Sequence, residues 1–197
     1  MRIAVDEFIS LDGVVQAPGG AEEDTDGGFR HGGWSMQFFD PEVMGPTFDE
    51  MSQHTDALLY GRRTWRVMAN AWPGRAGDPF ADWINGVQKY VVTNTLTDAD
   101  IDWQPTTRIS GDNLVQAVSD LRARPGGEVH VLGSAQLVRT LLANDLVDDL
   151  NLMIEPIVLG GGKSIWPDDG TARNFELVEA LPAATGVQIS HYRRAAS

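Results

Sequence analysis

Residues 128–136 read EVHVLGSAQ and run directly into Leu137, Val138, Leu141 and Leu142. The apolar, β-branched run 129–132 predicts a buried strand, and the spacing of the four residues behind it predicts a helix lying on the same core. Gly133 and Ser134 make the turn between them, with Ser134 where a helix takes its N-cap. A strand that turns through glycine into a helix points unpaired backbone N–H groups past its own carboxyl end, and such groups favour a phosphate. The stretch thus predicts a strand-turn-helix unit of an α/β sheet with a phosphate seat on its rim. A turn that uses Gly and Ser for geometry alone is the plainer alternative.

Composition narrows the class. At 197 residues and 42% hydrophobic content, the chain can bury a real core and fits a single α/β domain over 1–197. No apolar run approaches the roughly 20 residues of a membrane span, and the strand-like IAVDEFIS after Arg2 has no secretory leader, so a cytoplasmic protein is expected. The absence of cysteine excludes disulfides and thiolate chemistry, and His31, His54, His130 and His191 show no ligand spacing, so no metal is expected. A net charge of −13 would repel a nucleic-acid backbone.

Outward from the central stretch, further segments end in polar groups. Residues 2–9 form a first strand with Ile3, Val5 and Phe8 inward, and it ends in the turn Ser10-Leu11-Asp12-Gly13. Asp12 therefore sits at a strand's carboxyl end, where open α/β sheets bind ligands, although an Asx turn alone explains it too. Residues 16–33, rich in glycine and acid, are either a lid or a disordered surface loop. A helix follows from Pro41, with Asp40 as N-cap, an apolar stripe of Val43, Met44, Phe48 and Met51, and a break or kink at Gly45-Pro46.

The strand 57–60 then runs into Gly61-Arg62-Arg63-Thr64-Trp65-Arg66. Arginines at a helix start oppose the macrodipole, so an anion there explains them better than a solvated helix end. A short helix over 78–86, a strand over 89–93 ending in Thr93-Asn94-Thr95, and an amphipathic helix over 111–122 complete the first half of the pattern. After the central unit, residues 149–156 alternate as a strand with one buried face. IVLGGGK at 157–163 lacks Walker A spacing but bares its backbone, and 174–180 with 186–193 predict an antiparallel hairpin.

In this order, SLDG at 10–13, GRRTW at 61–65, GSA at 133–135 and PIVLGGG at 156–162 resemble the dihydrofolate reductase-like superfamily. The chain looks most like the C-terminal reductase domain of the bifunctional riboflavin biosynthesis protein and its stand-alone bacterial relatives. The resemblance implies a three-layer α/β fold with a mostly parallel central sheet, an antiparallel C-terminal hairpin strand, and NADPH across the strands' carboxyl ends. It implies that Gly61, Arg62, Arg63 and Thr64 hold the 2′-phosphate with Thr93 and Asn94 opposite. Gly133, Ser134, Ala135 and Gln136 would surround the pyrophosphate, with Leu137 near the cofactor.

No carboxylate falls where dihydrofolate reductases hold the pterin, which argues against folate itself. Asp12 is the candidate substrate contact or proton relay. The expected activity is NADPH-dependent hydride transfer to a small pterin-, pyrimidine- or ribosylamino-pyrimidine-like substrate, with a non-catalytic NADP(H)-binding module as the alternative. The resemblance also implies a homodimer, with the strand over 149–154 near its interface. Trp34, Trp65 and Trp166 are open as pocket or core residues.

Overall fold

The inward pattern of Ile3 and Val5, continued by Ile9 and not by Phe8, which is half-buried on the other face, becomes β1 (Arg2–Ser10), which the computed structural model, describing residues 1–195, sets inside an eight-stranded sheet. Its neighbours are β5 (Glu128–Val131) and β6 (Asp149–Glu155), both parallel to it. Beyond β5 follow β2 (Thr55–Gly61), β3 (Gln88–Val92) and β4 (Thr106–Ile109), again parallel. On the other side, β8 (Gln188–Arg194) runs antiparallel to β6, and β7 (Phe175–Pro182) closes the sheet's edge. The order is β4-β3-β2-β5-β1-β6-β8-β7, so six parallel strands deliver their carboxyl ends to one rim.

Strand alternation sorts the helices into two outer layers. Val5, Leu59, Val129 and Val131 face α4 (Leu114–Ala123) and α5 (Ala135–Ala143). Leu58, Tyr60 and Val91 point the opposite way, toward Trp65 of α2 (Arg62–Ala71) and Ile84 of α3 (Pro79–Gly86). On that same side Met44 of α1 (Pro41–His54) packs on Met153 and Ile189. Leu137, Val138, Leu141 and Leu142 of α5 are all buried, and full burial of such a side chain contributes roughly 1.5–3 kcal/mol.

Several expectations change here. Pro46 lies inside α1 without ending it, and the Asp40 carboxylate caps the helix by accepting from Glu42 N–H at 3.1 Å. β4 is a strand that the sequence reading omits. β6 is buried on both faces, not one, because helices cover the sheet on each side. β6 also lies between β1 and β8, so it offers no free edge to a second copy.

The glycine-rich loop is folded. Trp34 is buried and donates its indole N–H to the Gln16 carbonyl at 2.8 Å, while the Gln16 side chain donates to the Asp24 and Asp26 carbonyls. Lys163, just past the triple glycine, pairs with Asp24 at 2.5 Å and Asp26 at 2.9 Å. Arg63 pairs with Asp26 as well. The loop is thereby laced both to the segment after β6 and to the start of α2.

Candidate functional site

At the middle of the rim, the β5–α5 turn is built on bare backbone. Gly133 has φ +85°, a region that side chains disfavour, and its peptide to Ser134 is cis. The Gly61 N–H donates to the Gly133 carbonyl at 3.0 Å, tying the end of β2 to the turn. A β-carbon added to Gly61 would fall 2.3 Å from Ser134 Oγ. One added to Gly133 would lie 3.2 Å from Thr64 Oγ1 and 3.7 Å from Glu7 Oε1. Side chains from β1 and α2 therefore converge on the glycine turn, and position 133 must be bare for them to do so.

Ser134 occupies the N-cap position of α5, but its side chain makes no cap hydrogen bond. The expected N-cap position is thus borne out without the cap bond, and the N–H groups of the first turn stay available to another acceptor. Arg62 opens α2, is half-buried, and has no hydrogen bond or ion pair among the described residues. Arg63 points elsewhere: its partners are Asp26 and, at 3.8 Å, Asp24. Gln136 is exposed, whereas Ala135 and Leu137 are buried, Leu137 in the core with Val138.

Thr93 and Asn94 follow Val92, the last residue of β3 and the register partner of Gly61, but their side chains are engaged locally. Thr93 Oγ1 accepts from the N–H groups of Thr95 and Leu96 at 3.1 and 3.0 Å. Asn94 Oδ1 accepts from Gly111 N–H at 2.6 Å, and its amide donates to Asp112 at 3.2 Å. Both shape the rim's outer end.

Asp12 is a clasp. It accepts from the Ser10 hydroxyl at 2.7 Å and from the N–H groups of Leu159 and Gly160 at 3.1 and 2.8 Å, joining the β1 turn to the glycine segment after β6. The Ser10 bond first, and the backbone bonds after it, hold its pKa down to about 2. These bonds give Asp12 the turn role that is the plainer of its two sequence readings.

The sequence reading missed three groups. Among the described residues, four buried side-chain atoms lack a hydrogen-bond partner, and three of them belong to Glu7, Tyr60 and Glu155, near the carboxyl ends of β1, β2 and β6. Burial, followed by the charges of Asp6 and Glu23, raises the Glu7 pKa well above the carboxylate range. Burial likewise pushes Glu155 up to about 7, although its Oε1 accepts from the Ser35 hydroxyl at 2.5 Å. Glu7 was detectable, since it shares strand parity with Ile3, Val5 and Ile9, and an acid in that row is anomalous.

A cleft of about 400 Å³ is floored by Ile9, Ile154 and Leu152, the register partner of Glu7 on β6, and flanked by Trp166. A second, of about 530 Å³, lies between residues 26–31 and 159–163. Trp166 is thus a cleft residue, whereas Trp34 and Trp65 are buried in the packing.

These features can be set beside known proteins. The family described as RibD C-terminal domain matches residues 2–189. The uncharacterized protein YyaP of Bacillus subtilis is 28% identical over 191 residues, covering 94% of this chain and 91% of its own. A candidate riboflavin biosynthesis protein from Shewanella sp. PV-4 superposes with a TM-score of 0.75 at 20% identity, over 100% of both chains. Dihydrofolate reductase from Enterococcus faecalis, solved with NADP(H) and RAB-propyl, gives 0.61 at 14% identity, over 99% of this chain and 97% of that one. The structural likenesses establish a dihydrofolate reductase-like fold. Because the family match spans nearly the whole sequence, the chain belongs to the RibD C-terminal domain family.

Proposed function

We propose that this protein is an NADPH-dependent reductase that transfers a hydride to a small heterocyclic substrate of pterin, pyrimidine or ribosylamino-pyrimidine type. The observation that carries the reading is Arg62, a guanidinium at a helix start with no partner among the described residues, beside glycines kept bare, in a chain of net charge −13. The residues fit the group: Arg62, Gly61 and Thr64 would hold the 2′-phosphate, and the uncapped first turn of α5 would hold the pyrophosphate. NADPH, when bound, supplies the hydride.

The chain's own residues supply orientation, shelter and a proton. Ile9, Leu152, Ile154 and Trp166 exclude water from the cleft beside β1, and the laced loop shields the rim. Of the rim carboxyls, Glu155, with a pKa near 7, is matched to giving up a proton at neutral pH, and Asp12 is not. For the homodimer, support falls on edge strand β7, where Leu177, Val178 and Leu181 are exposed. Light scattering should then report a mass near twice 21.5 kDa, and a monomer mass excludes the dimer.

Calorimetry of NADPH against wild type and Arg62→Ala tests the cofactor reading. Loss of a charged hydrogen-bonded contact is expected to weaken binding by about 10-fold or more, and NADH should bind the wild type as poorly. An affinity that ignores both changes overturns the assignment. NADPH oxidation over a panel of pterins, pyrimidines and flavins then separates a reductase from a non-catalytic NADP(H)-binding module, which would bind without turnover.

A further inference from the structure

Glu7 has no role in the site as described so far. Its neighbours on the same face of β1 are Ile3, Val5 and Ile9, and its register partner on β6 is Leu152. Its Oε1 is closed off from solvent, accepts no hydrogen bond, and has no cation beside it among the described residues. Glu7 is half-buried, but an acid oxygen closed off and unpaired in this way works against folding, so its retention points to a partner from outside the chain.

The order of strands says which part of a ligand would arrive there. Along the rim, Arg62 follows β2, the Gly133 turn follows β5, and β1 is next in the sheet. A dinucleotide that seats its 2′-phosphate at Arg62 and its pyrophosphate at Gly133 brings its far ring to β1. Oε1 lies 3.7 Å from where a β-carbon on Gly133 would stand, and the apolar cleft of Ile9, Leu152 and Trp166 begins alongside. That ring is flat and apolar and carries one primary carboxamide.

We propose that the Glu7 carboxyl is the receptor for the nicotinamide's carboxamide, fixing which edge of the ring enters the cleft. The assignment rests on the NADP(H) reading above. A carboxylic acid and a primary amide are complementary, each presenting one donor and one acceptor along the edge where they meet. Burial, together with the charges of Asp6 and Glu23, favours the protonated form of Glu7, which donates as well as accepts.

Three probes test this by calorimetry on wild type, Glu7→Leu, Glu7→Ala and Glu7→Gln: 2′,5′-ADP, NADPH, and the 3-acetylpyridine analogue of NADPH, whose methyl ketone lacks the amide N–H donors. All four proteins are expected to bind 2′,5′-ADP alike, within about two-fold, because that probe stops short of β1. NADPH should bind Glu7→Leu and Glu7→Ala about 10-fold more weakly than wild type, and Glu7→Gln, which keeps a donor and an acceptor, nearly as well as wild type. The analogue should discriminate much less among the four.

Retained 2′,5′-ADP binding with NADPH affinity indifferent to position 7 overturns this assignment alone. So does an equal loss for NADPH and the analogue, which is the signature of a structural role. Failure of 2′,5′-ADP to bind the wild type overturns the nucleotide reading itself, and this assignment with it. The Leu variant should melt no lower than wild type, since it removes an unsatisfied acid, and Ala and Gln provide the same comparison from a different packing.

Discussion

The closest approach at the site is between Gly61 and Ser134, and it leaves no room for a methyl group. A β-carbon at position 61 would meet Ser134 Oγ at 2.3 Å and Ser134 N at 3.1 Å, so Gly61→Ala must push the β5–α5 turn outward. Overpacking of this kind costs about 1–3 kcal/mol, and thermal melts should show it. Ser134→Gly removes the nearer clash but not the backbone one, so it should restore part of that loss in the double variant. Additive effects would mean that the two positions do not touch. A second single-residue effect concerns Asp12, whose carboxylate holds the Leu159 and Gly160 amides. Asp12→Asn replaces an anionic acceptor by a weaker one, and those two amides should exchange hydrogen faster while the core amides do not change. If they exchange at the wild-type rate, the clasp is unimportant.

At the scale of elements, the 11–34 segment depends on one short charged lattice, in which Lys163 and Arg63 meet Asp24 and Asp26. The members are half-exposed, so each pair alone contributes little to global stability. Lys163→Met should therefore leave the melting temperature nearly unchanged while making this segment several-fold more sensitive to limited proteolysis; equal sensitivity would show that Trp34 and Gln16 suffice to hold it. The same scale shows what the sequence made legible. β5 and α5 were readable because valines and leucines repeat with one period each and glycine marks the change. β4 was not, since TTRI is four residues of mostly exposed edge with no apolar alternation. β6 misled by its alternation: Asp149 and Glu155 look like outward polar positions, but both are buried, Asp149 held by Arg2, His191 and Arg193. Thr93 and Asn94 were legible as rim residues, though not the contacts of Asn94 with residues 111 and 112, because those depend on how β4 returns beside β3.

Across the whole molecule, the buried ionisable groups lean one way. In the His130 triad, burial would lower the imidazole pKa, but Asp6 at 2.6 Å and Glu128 at 2.9 Å outweigh it and hold the value up to about 10, against 6.5 for a free side chain. Glu155 stands at about 7 against 4.5, and Glu7 and Glu23 are also raised. A folded-state pKa above the unfolded one means that the folded chain binds more protons between the two values, so stability is full below the lower value and declines as pH rises toward the upper one. Glu155 acts from pH 4.5 to about 7, and His130 from 6.5 upward. Self-repulsion at a net charge of −13 has the same sign. In the other direction, Asp149 and Glu128 are depressed and lose their contribution as pH falls below the carboxylate range, while Lys89, lowered to about 8 by burial, offsets the decline above that pH. The protein should therefore be most stable near pH 5 and lose on the order of 2 kcal/mol by pH 8. Melting temperatures between those limits check the slope, and Glu155→Gln, which cannot titrate, should flatten its acid half. A curve that rises toward pH 8, or a variant with the wild-type slope, would show that the buried carboxyls are ionised in the folded chain and that the rim carries no neutral acid.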